Sequence, residues 1–374
     1  MGVFACQYND ARRRPQPRGA DDPFATQTRL RSRRVARCYG GLICAFWAGS
    51  ASADTLRIAT FAAPLSRDGP GLLLRDIQRG EDDQLVAIAQ IIDLIAPDVL
   101  VLTDFDYDLD GLALDAFAQS LELDLPYRFA LAPNTGVPTG LDIDGNGWRG
   151  DARDAQGYRR FVGDGGMAIL SRFAVIEDKV QDLSHLLWRD LEGAQLPTLD
   201  GEPFFSAPIQ DTLRLSSTGH WIVPLQLPDD EALSLMVFAA TPPVFDGPED
   251  MNGLRNRDEL RLWENVLSAT PPEGFVIAGN ANLDPSNGAG LQDAMQAFLR
   301  RPDFTDPHNG QPNADWGSDG PGQLRVSYIL PSTTWEIAAA GTFWPAPKTP
   351  ESDLIGDDGA AAGPHRMIWV DLIR

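Results

Sequence analysis

Two short apolar strands flank one amphipathic helix between residues 55 and 102, and this unit constrains the fold more than any other feature of the sequence. Residues 55–61, TLRIATF, alternate like a strand with one buried face. Residues 81–96, EDDQLVAIAQIIDLIA, begin with acidic side chains and repeat apolar ones at helical spacing, which predicts a helix. Pro97 and Asp98 end that helix, and residues 99–102 predict a buried strand. A strand, a helix and a strand in this order favour an α/β fold.

Further strands and helices follow, with no internal repeat. The predicted strands are 167–170, 221–227, 233–238, 275–278, 326–330 and 367–372, and the predicted helices are 112–121, 255–267 and 292–299. Residues 133–164 and 302–322 have no hydrophobic period and are predicted as two long loops, the second at the surface. Helices alternate with strands early and strands pair like hairpins later, which favours one mixed sheet, or two packed sheets, flanked by helices. No linker divides residues 54–374, so we expect one domain.

The first 53 residues have the pattern of a bacterial-style export signal. Nine arginines oppose three aspartates, an apolar stretch runs from Cys38, and Ala51, Ser52 and Ala53 form a small-residue exit. The apolar stretch is short and glycine-rich for a membrane span. The sequence therefore predicts cleavage near Ala53, a mature chain without a transmembrane segment, and a periplasmic or secreted location. The alternative is an N-terminus without structure that carries a chance apolar patch.

Loss of this leader would change the chemistry available to the chain. Cys6, Cys38 and Cys44 all lie within it, which excludes disulfides, thiol catalysis and cysteine metal sites from the mature protein. Without the leader's nine basic and three acidic residues, 22 basic side chains face 50 acidic ones, a net charge of −28. Such a surface repels duplex nucleic acid and anionic membranes unless bound cations intervene.

Polar residues follow the apolar strand at residues 275–278, in the segment VIAGNANLDPSNG. A strand end of this kind suits an aspartate that accepts a proton or holds a metal, but the first polar residue here is Asn280. Common short signatures such as GxxxxGK, HExxH, GxSxG and CxxC are absent from the sequence, and its four histidines have no ligand-like spacing. Asn280 and Asn282 taken alone would be read as turn residues that bond their own backbone.

A series of phrases in chain order carries more information than any single motif. LRIATF, PDVLVL, GGMAILSR, TPPVFDGPEDMNG, FVIAGNAN, LRVSYILPS, FWPAP and PHRMIWVDL run from residue 56 to the C-terminal region. This series resembles the endonuclease/exonuclease/phosphatase superfamily of DNase I-like hydrolases, and in particular a bacterial exported branch of it. The resemblance implies an α/β fold of two packed mixed β-sheets flanked by helices, a four-layer sandwich whose strand ends converge on a divalent-metal phosphoester site.

The family pattern, carried over position by position, is largely substituted. The metal-binding glutamate falls at Asp104, with Asp106 close behind, and the companion of the catalytic aspartate is retained as Asn282. The aspartate itself falls at Asn280, and of a terminal Asp-His pair only His365 remains. The positions of an asparagine, a histidine, a second aspartate and the terminal aspartate hold Ala62, Ala239, Ser327 and Pro364.

These substitutions predict a weakly active or inactive member of the family. Carboxylates would hold the metal and acidify a water, while Asn and His donors would stabilise charge on the phosphoryl oxygens. Loss of the base and of the electrostatic groups together costs several orders of magnitude in rate. The resemblance therefore implies catalytic positions at Asn280, Asn282 and His365, metal positions at Asp104 and Asp106, and Mg²⁺ or Mn²⁺ as cofactor if the protein is active.

A second cation signal lies in GLDIDGNGWRGD, residues 140–151. Asp142, Asp144 and Asn146 alternate and are followed by Gly147, as in the first half of a calcium loop. The twelfth position holds Arg153, so Asp151 or Asp154 would have to complete the ligand shell. The segment predicts either a calcium site or a polar glycine turn.

Three functional hypotheses follow from the sequence. The first is an impaired phosphoester hydrolase that binds a phosphoester-containing small molecule or another ligand in the old cleft. The second is an active metal-dependent phosphodiesterase, nuclease or phosphatase. The third is an extracellular binding or structural protein stabilised by Ca²⁺.

Overall fold

The computed structural model describes residues 55–228, 232–356, 359 and 361–374. The predicted leader and its cleavage point near Ala53 lie outside the described residues and stay predictions, as does the predicted boundary at residue 54. No helix within the described ranges is both long enough and apolar enough to cross a bilayer.

Sixteen strands and six α-helices are assigned in the described part of the chain. The strands are β1 Thr55–Phe61, β2 Val99–Phe105, β3 Tyr127–Phe129, β4 Gly166–Ser171, β5 Ala174–Val175, β6 Gln181–Asp182, β7 Thr198–Leu199, β8 Glu202–Pro203, β9 Gly219–Gln226, β10 Ala232–Ala239, β11 Phe275–Asn280, β12 Ala314–Asp315, β13 Gln323–Leu324, β14 Ser327–Pro331, β15 Glu336–Thr342 and β16 Ile368–Ile373. The helices are α1 Leu72–Arg79, α2 Asp83–Ile95, α3 Leu112–Ser120, α4 Ala207–Gln210, α5 Met251–Ala269 and α6 Gln292–Leu299.

Two six-stranded sheets form the centre of the fold. The first has the order β15-β16-β1-β2-β4-β3, in which β1 and β2 are parallel as the βαβ pattern predicts. The second has the order β14-β11-β10-β9-β5, with β6 also paired to β9. Each sheet mixes parallel and antiparallel pairs, which confirms the predicted architecture of two mixed sheets flanked by helices.

Side chains alternate between layers along each strand. In β2, Val99 and Val101 enter the core between the two sheets, whereas Leu100 and Leu102 face the other way and pack with α2 and α3. In the second sheet, Met236 and Ile277 pack outward against Trp263 of α5. The layers are therefore helix, sheet, sheet and helix.

The sequence reading of some segments was wrong in detail. β1 is buried on both faces from Ile58 onward because helices cover its outer side, so its alternation did not mark an exposed face. Helix α1 and strand β15 were not predicted. The stretch 302–322 is a surface loop only in part, since His308, Asn313 and Ala314 are buried and β12 pairs with β13.

Candidate active site

Strand ends from both sheets meet at one edge of the sandwich. In the first sheet, Phe61 ends β1 beside Leu102, and β2 ends where β4 begins, with Phe105 opposite Gly166. In the second sheet, Ala239 ends β10 beside Asn280. A Cβ atom built on Gly219, the first residue of β9, would lie 3.0 Å from the Met167 Cε atom of β4, so the two sheet edges are in contact. The loops after β1, β2, β10 and β11 therefore open at one edge.

A β-bulge at the end of β2 sets the direction of the Asp104 side chain. The pairing of β2 with β4 shifts register between Thr103 and Phe105, and Asp104 takes a left-handed backbone with φ of 67°. Bulges of this kind redirect a side chain at the edge of a sheet. The local geometry thus presents Asp104 to the loop that precedes β4.

Arg159, in that loop, binds the carboxylate of Asp104. The Arg159 Nη2 atom lies 2.7 Å from Asp104 Oδ1, and its Nη1 atom lies 3.9 Å from Asp164 Oδ1. Burial raises the pKa of Asp104, and the positive charge of Arg159 opposes that shift. The site that the family pattern assigns to a metal is therefore next to a resident guanidinium.

Asp106 is held by backbone donors. Its Oδ1 accepts a hydrogen bond from the Gly165 N–H at 3.0 Å and its Oδ2 accepts one from the Arg67 N–H at 2.9 Å. Burial raises the pKa of Asp106 to about 6 in spite of these hydrogen bonds. Both oxygens therefore help to join three loops.

Asn280 and Asn282 lie together at the end of β11. The Asn280 Oδ1 atom accepts a hydrogen bond from the Asn282 N–H at 3.1 Å, and Asn282 Nδ2 donates to the Ala240 carbonyl at 2.7 Å. Asn282 has a positive φ of 52°, which asparagine tolerates better than most residues. The pair is organised as a turn, and an amide at Asn280 cannot accept a proton as a carboxylate does.

Four further positions of the family pattern lie in the strand-end region without contributing charge. Ala62 follows β1, Ala239 ends β10 and both are buried. Ser327 pairs with Asn280 across β11 and β14, and its hydroxyl makes no hydrogen bond among the described residues. Pro364 accepts a hydrogen bond from the Asp315 N–H through its carbonyl. These side chains supply neither a metal ligand nor a general base.

His365 is a neutral side chain packed beside an aromatic ring. The imidazole meets the edge of the Trp316 ring with centroids 5.2 Å apart, and burial lowers its pKa to about 4. Its Nδ1 atom has no hydrogen-bond partner among the described residues. His365 can thus donate or accept one hydrogen bond as a neutral group at pH 7.

Helix α5 supports the strand-end loops with buried polar side chains. Asn256 donates to the carbonyls of Thr241 and Ala281, both at 2.7 Å, and so joins the ends of β10 and β11. Glu259 accepts hydrogen bonds from the N–H groups of Ser217 and Thr241 at 2.8 and 2.6 Å. The amphipathic pattern had predicted this helix, but not that its inner face would carry fully buried amide and carboxyl groups.

The predicted calcium loop brings together a somewhat different set of ligands. Carboxylate oxygens of Asp142, Asp144 and Asp154 all lie within 4.8 Å of one another, and the buried Asp142 Oδ1 has no hydrogen-bond partner. Asp151 instead accepts hydrogen bonds from Asn146 Nδ2 at 2.8 Å and from the Arg153 N–H. Of the two candidates for completing the shell, Asp154 therefore lies with the cluster and Asp151 does not.

The two candidate cation positions differ in how well their residues fit a metal. In the cleft, Asp104 is paired with Arg159, each oxygen of Asp106 accepts one backbone N–H and Asn280 is neutral. The cleft therefore does not fit the divalent ion that the family pattern implies. In the cluster, Asp154 also accepts two backbone N–H groups, and Arg153 lies 3.8 Å from Asp144. Three carboxylates nevertheless converge there and one buried oxygen of Asp142 is unpaired, which suits a hard cation that prefers carboxylate oxygens.

Sequence reasoning missed Arg159 and Asp164. Both belong to the stretch that was read as a loop without period, and no local pattern indicates that a side chain at 159 reaches Asp104, 55 residues earlier. Asp164 is almost fully buried, which is unusual for a carboxylate in a glycine-rich loop. Only contact with β2 and β4 gives these residues their significance.

A cavity of about 290 Å³ opens beside the cleft at the end of β2. Its lining includes Asp106, Asp108 and Asp110 from the loop after β2, with Asp115 of α3 and Arg128 of β3. The wall therefore combines four acidic side chains and one basic side chain with apolar ones.

Comparison with known proteins supports the reading of the fold. The sequence model of the endonuclease/exonuclease/phosphatase family matches residues 76–353. An endonuclease/exonuclease/phosphatase from Beutenbergia cavernae has a similar structure, with a TM-score of 0.52 and 15% identity over 85% of this chain and 71% of that chain. A family protein from Bacteroides thetaiotaomicron has a TM-score of 0.48 and 10% identity, covering 86% and 98% of the two chains. A mannosyl-6-phosphatase from the same organism has a TM-score of 0.46 and 11% identity, covering 85% and 100%. No curated protein matches the sequence significantly.

Proposed function

The chain belongs to the endonuclease/exonuclease/phosphatase family, whose members are phosphoester hydrolases, and from that membership we propose that it is an exported member with a degenerate hydrolase site. In this proposal hydrolysis is weak or lost, and the strand-end cleft binds a ligand. We also propose the cleavable export signal and the periplasmic or secreted location that the sequence predicts.

The observation that carries the proposal is the pair of asparagines at the end of β11. Asn280 stands where the family pattern has a catalytic aspartate, and its side-chain oxygen accepts the Asn282 N–H at 3.1 Å. An amide has no basicity near neutral pH, so it cannot take the nucleophile's proton. Ala62 and Ala239 remove two further polar positions from the same edge.

The ligand is best sought among small molecules that carry a phosphoester. The mature chain has a net charge of −28, which opposes a duplex nucleic acid, whereas a small ligand meets less of that field. The cavity of about 290 Å³ beside the cleft has a size suited to a small molecule, and its one basic lining residue, Arg128, is paired with Asp115 at 3.3 Å.

A hydrolysis assay tests the proposal. The purified chain is incubated with a generic phosphodiester and with plasmid DNA, under Mg²⁺, Mn²⁺ or Ca²⁺ and with a chelator as control. We expect no turnover above the chelator blank under any metal. Metal-dependent turnover well above the chelator blank would overturn the proposal and favour the active phosphodiesterase hypothesis, in which Asp104, Asn282 and His365 carry the chemistry. Substitution of Asp104 and His365 would then locate the machinery.

The cluster of Asp142, Asp144 and Asp154 favours a second candidate function, a protein stabilised by Ca²⁺ outside the cytoplasm. Three close carboxylates with one unpaired buried oxygen form an acidic site that a hard cation would neutralise. Calcium that binds only the folded state raises the melting temperature by mass action. We expect that rise in the parent chain and in the surface control Glu202→Gln, but not in Asp144→Asn. An equal rise in melting temperature with Ca²⁺ in all three proteins would show that this loop is not the calcium site.

A further inference from the structure

The side chain of Arg159 occupies the approach to Asp104. Its Nη2 atom lies 2.7 Å from Asp104 Oδ1, and its Nη1 atom faces the almost fully buried carboxylate of Asp164 at 3.9 Å. The guanidinium therefore lies between two acidic side chains that come from different parts of the chain. We infer that Arg159 is a resident cation that takes the place of the divalent metal at Asp104, so that the cleft is closed to metal ions.

The loop around the guanidinium is shaped for this contact. A Cβ atom at Gly165 would lie 2.6 Å from Asp104 Oδ1 and 2.8 Å from both Cζ and Nη2 of Arg159. Gly165 also has a positive φ of 64° and donates its N–H to Asp106. A larger residue at this position would push Arg159 away from Asp104. The close approach thus depends on a glycine as well as on the two charges.

The neighbouring carboxylates stabilise the guanidinium of Arg159 at this position. Asp104 and Asp164 face it at 2.7 and 3.9 Å, and like charges that are close together repel one another unless a cation lies between them. An arginine that is part of the chain meets these carboxylates without the entropy that a free ion loses on binding. Its planar fork of donors also suits carboxylate oxygens.

A divalent ion needs several oxygen ligands, and the guanidinium of Arg159 competes with it for oxygens of Asp104 and Asp164. Mg²⁺ takes six oxygen ligands in octahedral geometry, and Ca²⁺ takes six to eight. Arg159 occupies the Oδ1 atom of Asp104, and the methyl groups of Ala62 and Ala239 offer no ligand. Arg159 therefore excludes the metal both by charge and by occupying its ligand.

This inference extends the proposed loss of hydrolysis, but it concerns binding and is measured separately. Mn²⁺ binding is followed by titration calorimetry and by the melting temperature in the parent chain, Arg159→Met, Arg160→Met and Asp104→Asn. Arg160 is the matched control because it is the next residue, pairs with the exposed Asp68 and makes no contact with Asp104. Any binding at the loop of Asp142 is common to all four proteins and cancels in the comparison.

We expect the parent, Arg160→Met and Asp104→Asn to give the same Mn²⁺ isotherm. Arg159→Met should gain one ion and melt about 2–4 °C higher for each tenfold excess of Mn²⁺ over its Kd. The double variant Arg159→Met/Asp104→Asn should lose that gain. Arg159→Lys, which keeps the charge, should respond to Mn²⁺ as the parent chain does.

Two results would overturn the inference. One is a Mn²⁺ site in the parent chain that Asp104→Asn removes, and this result does not depend on whether Arg159→Met folds. The other is a folded Arg159→Met that responds to Mn²⁺ as the parent does. Hydrolysis measured on the same samples separates the two proposals. Turnover that persists in a chelator would contradict the proposed loss of hydrolysis but not the exclusion of metal by Arg159. Mn²⁺ bound through Asp104 without turnover would contradict the exclusion of metal but not the loss of hydrolysis.

Discussion

The side-chain oxygen of Asn280 accepts a hydrogen bond from the backbone N–H of Asn282, and the two residues form a closed turn at the end of β11. Asn282 extends the turn by donating to the Ala240 carbonyl at the end of the neighbouring strand β10. The side chains of both residues are thus used to hold the ends of β10 and β11 together.

Restoring one carboxylate at this turn should not restore hydrolysis. In Asn280→Asp the new oxygen can still accept the Asn282 N–H, so the turn should persist, but Ala62 and Ala239 remain without polar groups. Because catalytic groups act together, one restored member recovers little of the rate. We expect no metal-dependent turnover of a generic phosphodiester above the parent chain. Clear turnover by Asn280→Asp would mean that the asparagine at this position alone accounts for the lack of hydrolysis in the parent chain.

Gly279 should not tolerate a side chain. A Cβ atom there would lie 2.0 Å from the Phe238 carbonyl oxygen of the neighbouring strand, so Gly279→Ala must displace backbone. We expect a loss of at least about 3 kcal/mol in the free energy of unfolding, measured by urea denaturation. Gly201→Ala, in the turn between β7 and β8, has open space around its Cβ and a positive φ, so it should lose only about 1–2 kcal/mol. Equal losses at both positions would contradict the close approach.

The layered fold could be predicted from local patterns because its strands and helices carry strong periodicity. Helix α6 ends at the predicted residues, and β2 and β4 begin within one residue of them. Strand β15 was missed because its sequence, EIAAAGT, has weak alternation and only partial burial. The outer strand is recognised by its pairing with β16, which is a contact between distant parts of the chain.

The candidate site was less predictable because its decisive contacts are not local. The resemblance pointed to Asp104, Asn280 and His365, which do lie at strand ends on the expected edge. The role of Arg159 depends on a β-bulge at Asp104 and on a glycine at 165, and neither has a signature in the sequence. Substitutions at known positions are visible in a sequence, whereas a compensating residue in an irregular loop is not.

Removing the buried amide of Asn256 should loosen the strand-end loops. Its Nδ2 atom donates to two buried carbonyls, Thr241 and Ala281, and Asn256→Ala would leave both without this partner. An unsatisfied buried polar group costs about 1–3 kcal/mol, so we expect a loss of about 3 kcal/mol in urea denaturation. Asn265, on the exposed side of the same helix, donates to the Glu192 carbonyl, and Asn265→Ala should change stability by less than about 1 kcal/mol. Comparable losses would assign the effect to the helix as a whole.

His220 should make the folded state sensitive to mild acid. The imidazole is fully buried between Ser216 and the Glu259 carbonyl, and burial lowers its pKa to about 3 from a usual value of 6.5. In the unfolded chain the same group binds a proton below pH 6.5, so the unfolded state takes up more protons and stability falls as the pH drops from 6.5 toward 3.

The contribution of His220 can be isolated by comparing slopes of stability with pH. Between pH 7 and pH 5 it should amount to about 2 kcal/mol of lost unfolding free energy. His220→Gln should be less stable than the parent chain at pH 7. Between pH 7 and pH 5, however, its unfolding free energy in urea denaturation should fall by about 2 kcal/mol less than that of the parent. His185→Gln is the matched control, because His185 is exposed and pairs with Asp182 at the surface. If unfolding free energy falls with pH in parallel for the parent, His220→Gln and His185→Gln, His220 is not the buried neutral group that its surroundings require.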